Sequence, residues 1–183
     1  MAKKSFQWVL GALVLGIVIG IALSSIYLQP TSQTSCASSV TPILSPGSED
    51  EMISFLRSAE HSIDVEVYVF TYPKFIDELE AAQDRGVSVR VIIEPRVNSD
   101  SNDKTMSELK LRGISARWAS QTFQLTHSKL ILVDGKRVWV GSPNWSYSAF
   151  NKNREAAVVI EDEKLAQEFM LAFESDWKIG ANN

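Results

Sequence analysis

Residues 126–144 read Thr-His-Ser-Lys-Leu-Ile-Leu-Val-Asp-Gly-Lys-Arg-Val-Trp-Val-Gly-Ser-Pro-Asn, and this stretch decides the architecture. Two apolar, β-branched runs, 128–133 and 137–141, flank Asp134-Gly135. Asp-Gly between such runs signals a hairpin, because both residues tolerate the positive φ of a tight turn. Upstream, strand-like and helix-like runs alternate. Ile43-Leu44 before Ser45-Pro46-Gly47 reads as a short strand and turn, and Ser48 with Glu51 reads as a capping box opening a helix to about residue 59. A strand over 62–70 follows, with Ile63, Val65, Val67 and Val69 on one face and Asp64, Glu66 and Tyr68 on the other. Pro73 suits the first position of a helix that Gly86 stops. Residues 87–93 are an apolar strand, 103–112 a helix ended by Gly113, and 114–118 another strand. Behind the hairpin lie a strand over 156–160 and an amphipathic helix over 163–177. Alternation implies parallel crossovers while the hairpin is antiparallel, so the fold class is α/β: a mixed β-sheet flanked by helices.

Ahead of this domain, taken as 41–183, residues 8–28 are almost wholly apolar and uncharged. Twenty-one helical residues at about 1.5 Å each span roughly the 30 Å hydrocarbon core. Lys3 and Lys4 precede the run, so the expectation is one N-terminal transmembrane helix over 1–28, with the domain outside the cytoplasm. The alternative is a cleaved signal peptide with Ala22-Leu23-Ser24 as its small-residue site, which would make the domain a secreted one. Ala12, Gly16 and Gly20 fall on one helix face, a spacing that suits helix pairing and is also common in membrane spans. Residues 29–40 are uncharged and rich in Ser and Thr, a flexible linker carrying an inert Cys36.

The 183 residues are 45% hydrophobic and 22% charged, which excludes a disordered or fibrous chain. One cysteine excludes an internal disulfide framework, and two histidines exclude a Cys/His zinc cluster. The net charge of −4 is unevenly spread: 104–154 carries +7 between flanks of −8 (49–103) and −5 (155–183). A basic middle within acidic flanks points to a local anion site rather than a wholly basic nucleic-acid coat.

The chemistry lies in that basic middle. In a strand, His127 and Lys129 point to one face about 7 Å apart. A neutral imidazole beside a fixed cation suits attack on an anionic phosphorus centre. Gly141 permits a sharp exit from the next strand, so that Ser142 and Asn144 aim a hydroxyl and an amide at the same anion.

The spacing His-x-Lys-x4-Asp-x6-Gly-Ser-x-Asn, carried by His127, Lys129, Asp134, Gly141, Ser142 and Asn144, resembles the HKD motif of the phospholipase D superfamily. Residues 43–46 and 63–71 look like that family's opening strands, and Glu155 lies where members place a carboxylate that orients the histidine. The short single-motif members it most resembles are bacterial endonuclease-like and mitochondrial cardiolipin hydrolase-like. The resemblance implies two-step phosphodiester cleavage, with a phosphohistidine on one histidine and a second histidine as general acid and then base. It implies phosphate binding by Lys129, Ser142 and Asn144, a tautomer-holding Glu155, a mainly structural Asp134 within the motif, and no metal or other cofactor.

His61, at a helix end beside Glu60, reads as a surface or capping residue, so one chain offers one motif histidine. The partner expected is therefore a second copy, in a homodimer with a shared active site. The substrate is a phosphodiester: a nucleic acid first, membrane phospholipid second. Glu155 has the alternative of pairing with Arg154 or Lys152, and Asp64 and Glu66 read as exposed-face carboxylates, with Glu66 near enough a sheet end to reach the site. Trp139, Trp145, Tyr147 and Phe150 are either core or groove, and Tyr68, Trp118 and Trp145 are candidates to stack bases or meet lipid.

Overall fold

The computed structural model describes residues 38–97 and 99–181. The anchor expected over 8–28 and all but the end of the 29–40 linker lie outside the described residues. Among the described residues no helix is long and apolar enough to cross a membrane.

Seven strands form one sheet in the order β1-β7-β6-β5-β2-β3-β4. They are β1 (Ser39–Leu44), β2 (Ser62–Val67), β3 (Ser88–Ile93), β4 (Ser115–Trp118), β5 (Lys129–Val133), β6 (Arg137–Gly141) and β7 (Ala156–Glu161). The helices are α1 (Glu49–Arg57), α2 (Pro73–Asp84), α3 (Ser99–Leu111), α4 (Tyr147–Asn151) and α5 (Glu163–Ile179). Strands β2, β3 and β4 run parallel, and every other pair is antiparallel. The sheet is mixed, as the alternation and the hairpin required.

One sheet face carries the larger core. Ile63, Val65 and Val67 of β2 and Ile131 and Val133 of β5 pack there with Phe55 and Leu56 of α1 and Phe75 and Leu79 of α2. Each such large apolar side chain contributes about 2–3 kcal/mol on burial. The opposite face is covered by α5, whose Ala166 and Phe173 meet Ile92, Leu130, Leu132 and Val138.

That second cover overturns the expectation that Asp64 and Glu66 face solvent: they are 1% and 4% exposed. Arg90, opposite Asp64 in register, holds it at 2.6 Å and reaches Glu174 of α5 at 2.7 Å. Glu66 has no such cation. Burial pushes its carboxyl up to about 7 against the opposing Ser128 hydrogen bond, and the neighbouring Asp176 of α5 adds to the rise.

The capping box does not form either. Ser48 precedes α1 without a side-chain cap, its hydroxyl buried and unpartnered, while Glu49, Asp50 and Glu51 complement the first turn's dipole. The hairpin is as read: Asp134 and Gly135 take φ of 56° and 62°, and Lys136 N–H closes the turn on Val133 C=O at 3.1 Å. The first strand begins at Ser39 rather than Ile43, and the short helix α4 is an addition to the elements read from sequence.

The register defines two ends of the sheet. At one, β2 and β3 finish beside the start of β5, the end of β6 and the start of β7. At the other lie the 134–135 turn and the first residue of β1, since Ser39 and Arg137 both pair with Glu161.

Candidate active site

The motif residues converge where β2 ends, except one. Lys129 opens β5 opposite Val67 and is 7% exposed. Its Nζ lies 3.2 Å from Nδ1 and 3.3 Å from Nε2 of His127, and donates to the His127 carbonyl at 2.8 Å. His127 itself is exposed, and its ring leans on Tyr68, centroid to centroid 4.4 Å. The same ammonium lies 5.1 Å from the centre of the Tyr68 ring. Burial lowers the Lys129 pKa, and the Glu155 carboxylate opposes that shift.

Gly141 brings the second half of the site alongside. A Cβ there would lie 2.4 Å from Ala157 Cα, so only glycine lets β6 approach β7 at this point. Ser142 then donates its N–H to Ala156 C=O at 2.9 Å and its hydroxyl to Glu155, and accepts from Ala156 N–H at 3.1 Å. Asn153 donates to the other Glu155 oxygen at 3.3 Å. Ser45, 1% exposed, ties Glu155 down by accepting its N–H at 3.1 Å. Glu155 thus holds Ser142 and acts on Lys129 through space, a different set of contacts from the histidine-orienting role implied by the resemblance. Asn144 is half-buried, and its Oδ1 is buried with no hydrogen-bond partner among the described residues. The strand end below is rigid, because Trp145 N–H donates to Val69 and Trp145 C=O accepts from Thr71 and Tyr72.

Asp134 is the exception. It sits in the turn at the far end of β5, about 20 Å of extended chain from His127. Its carboxylate accepts the N–H groups of Glu60, His61 and Ser62 at 3.2, 2.7 and 3.0 Å, and Arg137 at 3.0 Å. Burial alone would raise its carboxyl, but these hydrogen bonds hold it below the ordinary range. Its contacts tie the β5–β6 turn to the chain entering β2, away from the cluster at His127. His61 lies at that same end, ahead of β2, while His127 lies beyond the other end of that strand.

The aromatic candidates separate cleanly. Trp139, Trp145 and Phe150 are at most 2% exposed and belong to the core, and Trp118 is 8% exposed. Tyr147 is 49% exposed and meets Tyr72 and Lys152, and Tyr68 is half-buried against the His127 ring. Three arginines of the basic segment are absorbed by the fold. Arg112 is bound by Asp77, Glu80 and Glu108, Arg137 by Asp134, and Arg117 stacks on Trp177. At the site end the segment supplies Lys129, with Lys152 and Arg154 exposed in the turn before Glu155. Among the described residues, no group of three His, Cys, Asp and Glu side chains is arranged to hold a metal ion.

Sequence reasoning passed over Glu94, which is fully buried and caps the end of β3. Its carboxylate accepts Thr126 N–H at 2.7 Å and both arms of Arg96 at 2.5 and 2.9 Å. Burial raises its pKa, but Arg96 and the N–H groups prevail and hold it below the ordinary range. Asn102, also buried, donates to Tyr68 and Glu94 carbonyls at 2.9 Å and accepts Phe70 N–H at 3.0 Å. The available signal was an acid directly after an apolar strand, followed one residue later by arginine.

Residues 52–177 match the family described as cardiolipin synthase, PLD-like domain. Mitochondrial cardiolipin hydrolase of Mus musculus is 30% identical over 140 residues, 75% of this chain and 62% of that protein. Phospholipase D of Rickettsia prowazekii (strain Madrid E) is 31% identical over 119 residues, 65% of this chain and 57% of that protein. The chain therefore spans less than two thirds of the length of either relative. Among solved structures, Nuc from Salmonella typhimurium, a phospholipase D family member, aligns with a TM-score of 0.75 at 34% identity, covering 80% of this chain and 98% of that one.

Proposed function

Because the chain belongs to the phospholipase D-like family, we propose that it is a phosphodiester hydrolase acting on nucleic acid through a covalent phosphohistidine at His127. One observation carries this reading: Lys129 Nζ rests against both ring nitrogens of an exposed imidazole, with Ser142 and Asn144 following β6 at the same sheet end. In the free site the ammonium lies against the imidazole, 3.2 and 3.3 Å from its two ring nitrogens. An arriving phosphate offers Lys129 a charge-assisted partner in its non-bridging oxygens and leaves the neutral imidazole free to attack. The bond from phosphorus to His127 forms as the bond to the leaving oxygen breaks. Lys129 and the N–H groups of the Asn144 amide stabilise the charge that builds on the equatorial oxygens, and Ser142 joins them once its hydroxyl turns from Glu155 to the phosphate. Water then attacks the phosphohistidine and restores the imidazole.

The leaving oxygen needs a proton, and His61, at the other end of β2, is too far away to give it. A C2 homodimer supplies a second His127 as general acid and then as base. In equal mixtures with inactive His127→Asn chains, only wild-type pairs would turn over, leaving about a quarter of the rate where simple dilution leaves half. A rate of one half would sink the shared site. The apolar 8–28 segment would anchor the pair with its catalytic domains outside the cytoplasm.

Nucleic acid is favoured by exposed Lys152 and Arg154 in the turn before Glu155, and by the exposed ring of Tyr147 beside Lys152. Phospholipid is the second reading, favoured by Phe123 and Leu125, 47% and 41% exposed just ahead of His127. The deciding assay sets the full-length protein against plasmid DNA, RNA, and vesicles of cardiolipin or phosphatidylcholine. Cleavage of nucleic acid that His127→Asn abolishes is the expected result. Hydrolysis of lipid alone would move the assignment to the second reading, and turnover surviving His127→Asn would overturn the mechanism.

A further inference from the structure

The nucleophile stands at the end of a segment that has little to hold it. Between Ala119, whose N–H donates to Ile93, and Ser128, whose carbonyl accepts Tyr68 N–H, the chain is in neither helix nor strand. Residues 121–125 are exposed. The Ser120 and Thr122 hydroxyls hydrogen-bond to each other at 2.9 Å. Lys129 holds the His127 carbonyl, and among the described residues the grip on 120–126 from outside comes from two other side chains. Glu94 accepts Thr126 N–H at 2.7 Å, immediately before His127. Arg96, clamped by the same carboxylate, donates to the Phe123 carbonyl at 2.7 Å and more weakly to Ser120 at 3.4 Å.

We propose that Glu94 and Arg96 form a positioning couple for the reaction: a buried carboxylate and its guanidinium fix residues 120–126 and thereby set the His127 imidazole against Lys129 and Tyr68. The inference rests on His127 being the nucleophile. Geometry distinguishes this couple from an ordinary surface ion pair. Glu94 is fully buried, and one oxygen serves both the approach to His127 and the arginine that grips the rest of the segment. Asn102 completes the brace from the opposite side, joining the Glu94 carbonyl to that of Tyr68, on whose ring His127 leans. A lysine in place of Arg96 keeps the charge but has no fork, so it cannot span Glu94 and the Phe123 carbonyl together.

A displacement of the reacting atom by about 1 Å costs on the order of 100-fold in rate. In the full-length protein, Glu94→Gln and Arg96→Lys should each lower kcat by about that factor while leaving KM within about threefold, since neither residue touches substrate. The chain has two histidines, so a histidine-selective NMR spectrum holds two imidazole signals, assigned by His127→Asn. The His127 signal should move in both variants as its ring leaves Tyr68, and the His61 signal should stay. Should Glu94→Gln fail to fold, Arg96→Lys decides alone, because Arg96 lies at the surface. An Arg96→Lys protein with wild-type kcat, or with an unmoved His127 signal, would overturn the proposal. If instead His127→Asn retains activity, the assignment of the nucleophile falls, and the NMR shift still reports whether the couple positions residue 127.

Discussion

Replacing Glu66 by glutamine should remove a pH dependence of stability that the wild-type chain carries between about pH 4.5 and 7. Glu66 is 4% exposed on the strand face that α5 covers, beside Asp176 and without a facing cation. Burial holds its carboxyl at about 7 against an ordinary value of 4.5. The folded-state pKa is thus raised, so the contribution is fully present below about pH 4.5 and is lost as pH rises through 7. Two to three pKa units correspond to about 3 kcal/mol, or about 1–2 M in the urea midpoint for a domain of this size. Glutamine resembles the protonated acid and has nothing to titrate. Urea unfolding followed by tryptophan fluorescence at pH 5 and pH 8.5 gives the comparison. The Glu66→Gln protein should gain about 3 kcal/mol on wild type between the two conditions, and Asp176→Asn should recover part of that gain by removing the neighbouring charge. A wild-type-to-variant difference that stays flat across this range would refute the argument, because a carboxylate that ionises at its ordinary pKa is not desolvated in the fold.

Asp134→Ala should lower stability by about 3 kcal/mol, because it leaves the N–H groups of Glu60, His61 and Ser62 without an acceptor. The kcat per folded molecule should hardly change, and a selective loss of kcat would return Asp134 to the catalytic set. Gly141→Ala forces a methyl group to within 2.4 Å of Ala157, so it should cost about 3 kcal/mol in thermal or urea unfolding and also reduce activity by shifting Ser142. Activity should survive EDTA, since the proposed steps run through an imidazole and an ammonium, whereas loss on chelation with recovery on adding magnesium or zinc would refute them.

Local chemistry made some of the molecule legible in sequence. Asp134-Gly135 announces its own turn, and Val87 to Ile93 reads as a strand because Val87, Val89, Val91 and Ile93 recur on one face. The convergence of His127, Lys129, Ser142 and Asn144 follows from their places at the ends of neighbouring strands, since the register carries them to one edge. Asp64 and Glu66 were misread because alternating acids look like a wet face. What covers them is α5, about a hundred residues away, and what tolerates them is Arg90 in one case and protonation in the other. Glu94, Arg96 and Asn102 were missed for a different reason. Beyond the Glu94–Arg96 pair, their partners are backbone groups of distant segments, and a backbone partner has no signature in the sequence.

The first residue of β1 pairs with Glu161, which also faces Arg137 beside the turn, so whatever precedes residue 38 joins the domain at the end of the sheet opposite His127. Six residues of strand separate that attachment from the Ser45 that braces Glu155, roughly 20 Å. An insertion at the start of β1 therefore falls at the sheet end that carries the Asp134 turn and leaves the contacts of His127 intact, whereas an insertion within residues 120–125 falls directly ahead of the imidazole.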